Sequence, residues 1–474
     1  MAESRVTSTR GTGTDLHLDL TGGPGGKGVR AALMDALREA VRSGRLTPGT
    51  RLPSYRSLAA DLGIARNTVA EAYAELVAEG WLTARQGSGT QVAERAEPLR
   101  PARRPPAPPS RRRPRPAYDL RPGSPDAASF PRAAWAAATR RALTRAPSEA
   151  FGPGDPRGRP ELRQALSDYL ARARGVRTEP DRIVICAGFA HALRLIAQVL
   201  PGPFAVEGYG LSFHRGLLET AGADTRPLTV DERGARTAEL AGSGATAALL
   251  TPAHQFPMGG PLDPRRRAAA VDWARATGAL VLEDDYDGEF RYDRQPVGAV
   301  QGLDPEHVVY LGSVSKSLSP ALRLGWLALP GRLVDEALAA KGERELWVGV
   351  VDQLALADFL ESGGYDRHLR QMRLRYRRRR DQLVATLAER APHIGVTGIA
   401  AGLHAVLRLP AGTEDSVVQG AAWQGLAVEG LAAYRHPLNP HPAPDGLVIG
   451  YGTPPDHAFG GALDTLCRTL PPAE

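Results

Sequence analysis

The sequence predicts a multidomain chain: a small, mostly helical N-terminal domain that ends in a hairpin, joined to a large α/β domain. Three observations lead there. The chain has 474 residues, too many for one ordinary hydrophobic core. From Val29 apolar residues recur at helical spacing, and two further short helical stretches and a Gly-containing hairpin pattern follow before residue 94. After a Pro- and Arg-rich stretch, apolar runs such as RIVICAG are followed by a turn and an amphipathic stretch such as FAHALRLIAQVL, the pattern of strands covered by helices.

Composition bounds the function. The chain is 42% hydrophobic and 23% charged, which is globular. It holds no apolar run of about eighteen residues, so no membrane span is expected. The opening MAESRVTSTRGTGTD lacks the apolar core of a signal peptide. The two cysteines, Cys186 and Cys467, make no disulfide framework, and Cys186 in RIVICAG reads as a small core residue. A reducing cytoplasm fits these features. The net charge is +7, and residues 95–115 alone hold eight arginines and one acid. The basicity therefore belongs to one segment and not to the whole surface.

Residues 1–27, rich in Gly, Thr and Ser, read as a loose lead-in. The small domain is expected over 28–93. Val29, Leu33, Leu37 and Val41 line one helix face, and Gly44 ends that helix. Ser54 is a good cap for a short helix from Tyr55 to Leu62, which Gly63 breaks. A third helix is expected from Arg66 to Glu79 with Val69, Tyr73 and Leu76 inward, stopped by Gly80. The stretches 81–85 and 90–93 flank QGSG as a hairpin. Three helices and a hairpin make a winged helix-turn-helix, which fits DNA: one helix enters the major groove, the preceding helix braces it, and the wing reaches an adjacent groove. Arg66, Asn67 and Thr68 start the third helix, where side chains reach base edges. Arg51, Ser54 and Arg56 stand at the second, where phosphates are expected. Gly87 and Gly89 let the wing turn approach the backbone. Residues 94–116 form a Pro/Arg-rich linker, extended by its prolines and by arginine repulsion. It reads either as an inert spacer or as a source of sequence-independent phosphate contacts.

The large domain is expected over 117–474, with a smaller terminal part from about 394. Its chemistry centres on SVSKSLSPALRLG (from Ser313), behind the apolar run VVYLG, and on VLEDDYDGEF (from Val281). The first reads as strand, tight polar turn, strand. Together they suit a pyridoxal phosphate site. The Lys316 amine would form a Schiff base with the aldehyde. Asp284 would hold a proton on the pyridine nitrogen, and Arg323 would grip the phosphate as a two-pronged donor. Ser313 and Ser315 offer hydroxyls to the same phosphate. After RIVICAG a helix N-terminus offers backbone amides at Gly188, Phe189 and Ala190. HLRQMRLRYRRRRDQL (from His368) is a very basic helix that reads as solvated or dimer-facing, with a DNA-facing role as the second reading. No metal site is expected.

These motifs, with TPAHQFP (from Thr251), resemble fold-type I aminotransferases. More closely they resemble the aminotransferase-like half of MocR/GabR transcriptional regulators, a branch of the GntR family. The pattern PGTRLPS…RNTV…AY…QGSGT resembles the GntR DNA-binding domain, so the resemblance covers nearly the whole chain. It implies double-stranded operator DNA as partner, a head-to-tail homodimer, and bound pyridoxal phosphate with a small amine, an amino acid or the cofactor itself as effector. It also implies that Tyr209 stacks on the pyridine ring and that His254, Gln255 and Tyr286 bond the ring's phenolic oxygen. The sequence departs from the family at four places. Tyr55 stands where a small polar residue is usual. Ala190 and His191 stand where two glutamines are usual, which a backbone contact survives. The proline before Gly208–Tyr209 is missing. Val448 occupies the place where aminotransferases carry a carboxylate-binding arginine, leaving Arg435 as the candidate effector contact. Three functions stay open: a cofactor-using regulator, an aminotransferase with a DNA-binding tether, and a DNA-binding protein whose second domain only dimerises. Lys316, Asp284 and Arg323 speak against the third, and the winged helix speaks against the second as the whole account.

Overall fold

The computed structural model describes residues 16, 28–85, 89–94, 116–292, 297–342, 348–441 and 444–473. Gly87 and the linker arginines from Arg95 to Arg115 lie outside the described residues. The chain divides into two compact units, with the boundary between Arg112 and Arg113.

The first unit contains helices α1 (Val29–Arg42), α2 (Tyr55–Leu62) and α3 (Arg66–Ala78), then the antiparallel strands Leu82–Arg85 and Gly89–Val92. Ser54 caps α2 by accepting the amide of Ser57 at 3.2 Å, and Gly63 ends it in a left-handed conformation (φ 65°), which a side chain resists. Leu33 and Leu37 of α1, Leu58 of α2, and Val69, Tyr73 and Leu76 of α3 form the core with Leu82 and Val92 of the hairpin. Each helix thus turns one stripe inward, as its spacing predicts.

The second unit is built on a seven-stranded sheet. Its order is Ile183–Cys186, Gly325–Ala328, Val308–Ser313, Leu280–Asp284, Ala247–Leu250, Phe204–Glu207, Thr225–Leu228. Gly325–Ala328 runs antiparallel to both its neighbours, and the remaining pairs are parallel. Most of these strands are buried along their whole length, because helices cover both faces. Alternate residues go to opposite faces: Ile183 and Ile185 join one core cluster, Val184 and Cys186 another. A second, antiparallel sheet follows with the order Val396–Thr397, His404–Arg408, Gly446–Gly450, Glu429–Gly430. Between the two sheets in chain order comes the 27-residue helix Gly364–Arg390, which contains the basic stretch. Among the described residues no helix is long and apolar enough to cross a membrane.

Four adjacent parallel strands end at one edge of the large sheet, with Glu207, Leu250, Asp284 and Ser313 as their last residues. In open α/β sheets the ligand crevice lies outside such carboxyl ends.

Candidate functional site

In the first unit, α3 begins at Arg66 with Arg66 and Asn67 exposed and Thr68 half-buried, while Val69 one residue on is fully buried. Arg51, Ser54 and Arg56 are exposed, and the backbone of Arg51 bridges to Gln91 of the hairpin. Tyr73 donates its hydroxyl to the Pro53 carbonyl at 3.2 Å. The Tyr55 ring stands edge-on to Tyr73, 5.5 Å between centroids, so Tyr55 packs α2 against α3. Gly89 takes φ 77° with open space where a Cβ would stand.

In the second unit the strand ends border a cavity of about 380 Å³, within the usual range for small-molecule sites. Of the residues read from the sequence, Lys316, Asp284, Tyr286, Arg323, Ser313, Ser315, Tyr209, Phe189 and Ala190 line it. They come from three strand ends and one helix N-terminus, joined only by the fold. Gly188 stands just behind: it takes φ 82° and ψ 177°, and a Cβ there would lie 3.2 Å from the Arg323 guanidinium. That guanidinium donates to the Ala187 carbonyl at 2.5 Å. Arg323 itself takes the left-handed conformation, with φ 52°, unusual for a side chain that is not glycine. The phosphate end of the expected site thus pairs an arginine with the start of the helix Phe189–Val199, where the leading amides of a helix have no acceptor within it. The amides of His191 and Ala192 already donate to the Gly188 carbonyl, which leaves those of Phe189 and Ala190.

Electrostatics single out two groups at the other end. Asp284 is 5% exposed, and its carboxylate has no hydrogen-bond or ion-pair partner among the described residues. Burial, with Asp285, Asp287 and Glu207 adding to it, pushes its pKa well above the usual carboxylate range against the pull of Lys316. Burial pushes the Lys316 amine down, opposed by Asp284 and Asp287, and Lys316 Nζ donates to the Gly123 carbonyl. A buried carboxylate facing a cavity without a donor is costly, and a protonated ring nitrogen would supply that donor. The residues present fit the group.

Three expected contacts are placed elsewhere. His254 and Gln255 are each 1% exposed and do not line the cavity. The reason for Gln255 is saturation: its Nε2 donates to Glu207, the Tyr209 carbonyl and the Phe256 carbonyl, and its Oε1 accepts from the Met258 amide. His254 is held behind Tyr286 by Asp287. Arg435 points into its own loop, where Nε donates to the His441 carbonyl at 3.1 Å and one terminal nitrogen, Nη2, serves the carbonyls of both His441 and Asn439. His191 replaces a family glutamine without reaching the cavity: its Nδ1 accepts the Ala187 amide at 2.9 Å.

The cavity also holds groups that the sequence reading missed. Glu207 is buried, accepts from Thr251 at 2.5 Å and Gln255 at 3.1 Å, and is pushed up to about 7 by burial. An acid closing the apolar run FAVE carried the same signal as Asp284 and could have been found. His214 lines the wall with its ring 4.5 Å from that of Phe189, and burial pushes it down to about 3, so it is neutral. Gly123 had no sequence signal, since its contact with Lys316 spans 193 residues.

Comparison with known proteins agrees with this geometry. Residues 30–92 match the family described as bacterial regulatory proteins, gntR family, and residues 120–441 match aminotransferase class I and II. The HTH-type pyridoxine biosynthesis transcriptional regulator PdxR of Corynebacterium glutamicum is 35% identical over 90% of this chain and 92% of its own length. The probable rhizopine catabolism regulatory protein MocR of Rhizobium meliloti is 31% identical over 88% and 89%. Among solved structures, an archaeal alanine:glyoxylate aminotransferase superposes with a TM-score of 0.68 at 23% identity, over 74% of this chain and 90% of that one, which speaks to fold alone. With a GntR-type winged helix in its first unit and a fold-type I aminotransferase-like second unit, the chain belongs to the MocR/PdxR-type HTH transcriptional regulators of the GntR family.

Proposed function

We propose that this regulator holds pyridoxal phosphate at Lys316 and converts occupancy of that site, by the cofactor or by a small amine that reacts there, into a change in operator binding. The observation that carries the reading is Asp284, a buried and unpartnered carboxylate facing the same cavity as Lys316. When bound, the cofactor supplies an electrophilic carbon and an electron sink. The chain's own residues do the rest. Lys316, with its pKa lowered by burial, offers a larger neutral fraction of amine for attack. Asp284 keeps a proton on the ring nitrogen. Arg323 and the helix amides at Phe189 and Ala190 hold the phosphate, with Ser313 and Ser315 beside them. Tyr286 serves the phenolic oxygen, and Tyr209 offers an aromatic face.

A sensor fits better than a dedicated transaminase. An enzyme must grip the substrate carboxylate, and Val448 and the inward-turned Arg435 leave that task without an obvious arginine. The relative named for pyridoxine biosynthesis favours the cofactor itself as signal. The one named for rhizopine catabolism favours a small effector as the second reading. As in the resembling family, we take the working form to be a head-to-tail homodimer on operator DNA.

The test is a binding isotherm on DNA selected from a random pool by the protein. Cofactor-free and cofactor-loaded protein should differ in Kd by about fivefold or more, the range of ordinary coupling between sites. Superimposable isotherms would refute sensing.

A further inference from the structure

We infer that Asp287, acting through His254, positions the Tyr286 hydroxyl toward the cofactor cavity. The inference rests on the cofactor reading above and concerns groups that do not themselves line the cavity. His254 Nδ1 lies 2.8 Å from Asp287 Oδ2 and 3.0 Å from the Tyr286 hydroxyl. All three belong to two loops at the sheet edge, 251–257 and 285–288. An ionised carboxylate only accepts hydrogen bonds. Asp287 hydrogen-bonds the Tyr286 side chain directly as well as His254, so carboxylate and imidazole together hold the Tyr286 hydroxyl in place. Tyr286 lines the cavity, whereas Asp287 and His254 are 2% and 1% exposed. Burial first, then Asp287 and Asp284, push the Tyr286 phenol well above its usual range, so it stays a donor.

The alternative for this cluster is a metal. His254, Asp287 and His404 bring ligand atoms within 4.8 Å of one another. Hydrogen bonds already engage them: His254 with Asp287, and His404 Nε2 with the Pro257 carbonyl at 3.1 Å. The His254 and His404 rings lie 4.9 Å apart, which makes His404 a wall behind His254. Asp287 Oδ1 is buried without a partner among the described residues. The contact to His254 is made by the other oxygen, Oδ2.

The charged and titratable groups around Tyr286 are Asp284 at the end of its strand, Asp287 of its own loop, Glu207 at the end of the strand Phe204–Glu207, and His254. Lys316 feels Asp284 and Asp287 directly. The test follows the pH midpoint of the visible absorbance of the cofactor-loaded protein. Loss of the anion lowers that midpoint, whereas loosening a phenol that donates to the cofactor's oxygen raises it. In a Tyr286→Phe background only the first effect remains, so Asp287→Asn should lower the midpoint there by about one pH unit and by less than half as much, or in the opposite direction, with Tyr286 in place. Equal shifts in both backgrounds would mean that Asp287 acts on Lys316 through space alone, and no shift in either would mean that it does not act; each overturns the inference. If Asp287→Asn does not fold, His254→Asn carries the same comparison. Borohydride reduction separates the two readings: no adduct on Lys316 in the unaltered protein refutes the cofactor site, while an adduct with equal shifts refutes only the relay.

Discussion

A Cβ placed on Gly188 would stand 3.2 Å from the guanidinium of Arg323. The two residues lie 135 positions apart in sequence, and each holds a backbone conformation that most side chains avoid. Gly188 at φ 82°, ψ 177° occupies a region that only glycine visits freely. Gly188→Ala should therefore fold poorly or move Arg323 and the helix start together. Where it folds, the Kd for pyridoxal phosphate should rise about tenfold or more, equivalent to roughly 1.4 kcal/mol. Fluorescence titration of the cofactor-free variant measures it, and an unchanged Kd would place the phosphate elsewhere.

Asp284 predicts opposite effects on stability and on affinity. Its pKa is raised in the folded chain, so the folded state holds this proton more tightly than the unfolded state does. The group therefore subtracts stability as pH rises from about 4, and the subtraction is complete once the folded pKa is passed. In cofactor-free protein Asp284→Asn should remove that loss and stabilise by roughly 1–3 kcal/mol at pH 8, with little change at pH 4. The same variant should lose most of the thermal stabilisation that pyridoxal phosphate confers. Melting curves at both pH values, with and without cofactor, check both halves.

Lys316 should retain the cofactor covalently after borohydride reduction, and a peptide map should find the adduct there. Lys316→Ala should keep the fold but bind the cofactor reversibly, released by dialysis. An adduct on Lys341, buried behind the sheet with its amine bonded to the Ile185 carbonyl at 2.7 Å, would move the site.

In the first unit, Ser54→Ala removes the acceptor for the Ser57 amide and should cost about 1 kcal/mol of unfolding free energy. Urea denaturation of the N-terminal transition measures it.

DNA binding should divide by sequence dependence. Arg66→Ala should cost roughly 1–3 kcal/mol on the operator and little on random DNA. Neutralising Arg111, Arg112 and Arg113, which lie outside the described residues, should weaken both DNAs alike and flatten the salt slope by about one unit per lost phosphate contact. A wild-type slope in the triple variant would make the linker a spacer only. Equal loss on both DNAs for Arg66→Ala would move the recognition helix.

Local signals made the first unit legible. Ser54, Gly63 and the spacing Val69, Tyr73, Leu76 mark helix ends and faces within a few residues, and the helices follow them closely. The strand ends carrying Asp284, Ser313 and Lys316 were legible for the same reason: an apolar run stops at a polar residue. Reach and direction were not. His254 and Gln255 sit in the right loop, but their hydrogen bonds turn them away from the cavity, and no spacing rule carries that. Arg435 is bonded within its own turn. Gly123 depends on a chain crossing far in sequence, and Glu207, a lone acid closing FAVE, has no polar motif around it such as the one that marks Asp284.

The antiparallel strand Gly325–Ala328 has an evolutionary consequence. A parallel neighbour would need a crossover of a dozen or more residues. Here the chain turns back directly, and Ser313 pairs with Gly325 in register. The segment bearing Lys316 and Arg323 is therefore clamped at both ends by one ladder. An insertion or deletion within it would have to be absorbed by that ladder or by the segment itself, at the expense of amine and guanidinium placement. The turns after Phe204–Glu207 and Ala247–Leu250 lead into helix-containing crossovers and can change length without disturbing the sheet. Descendants of this chain that come to answer a different small molecule should differ in those turns and keep the spacing from Ser313 to Gly325 unchanged.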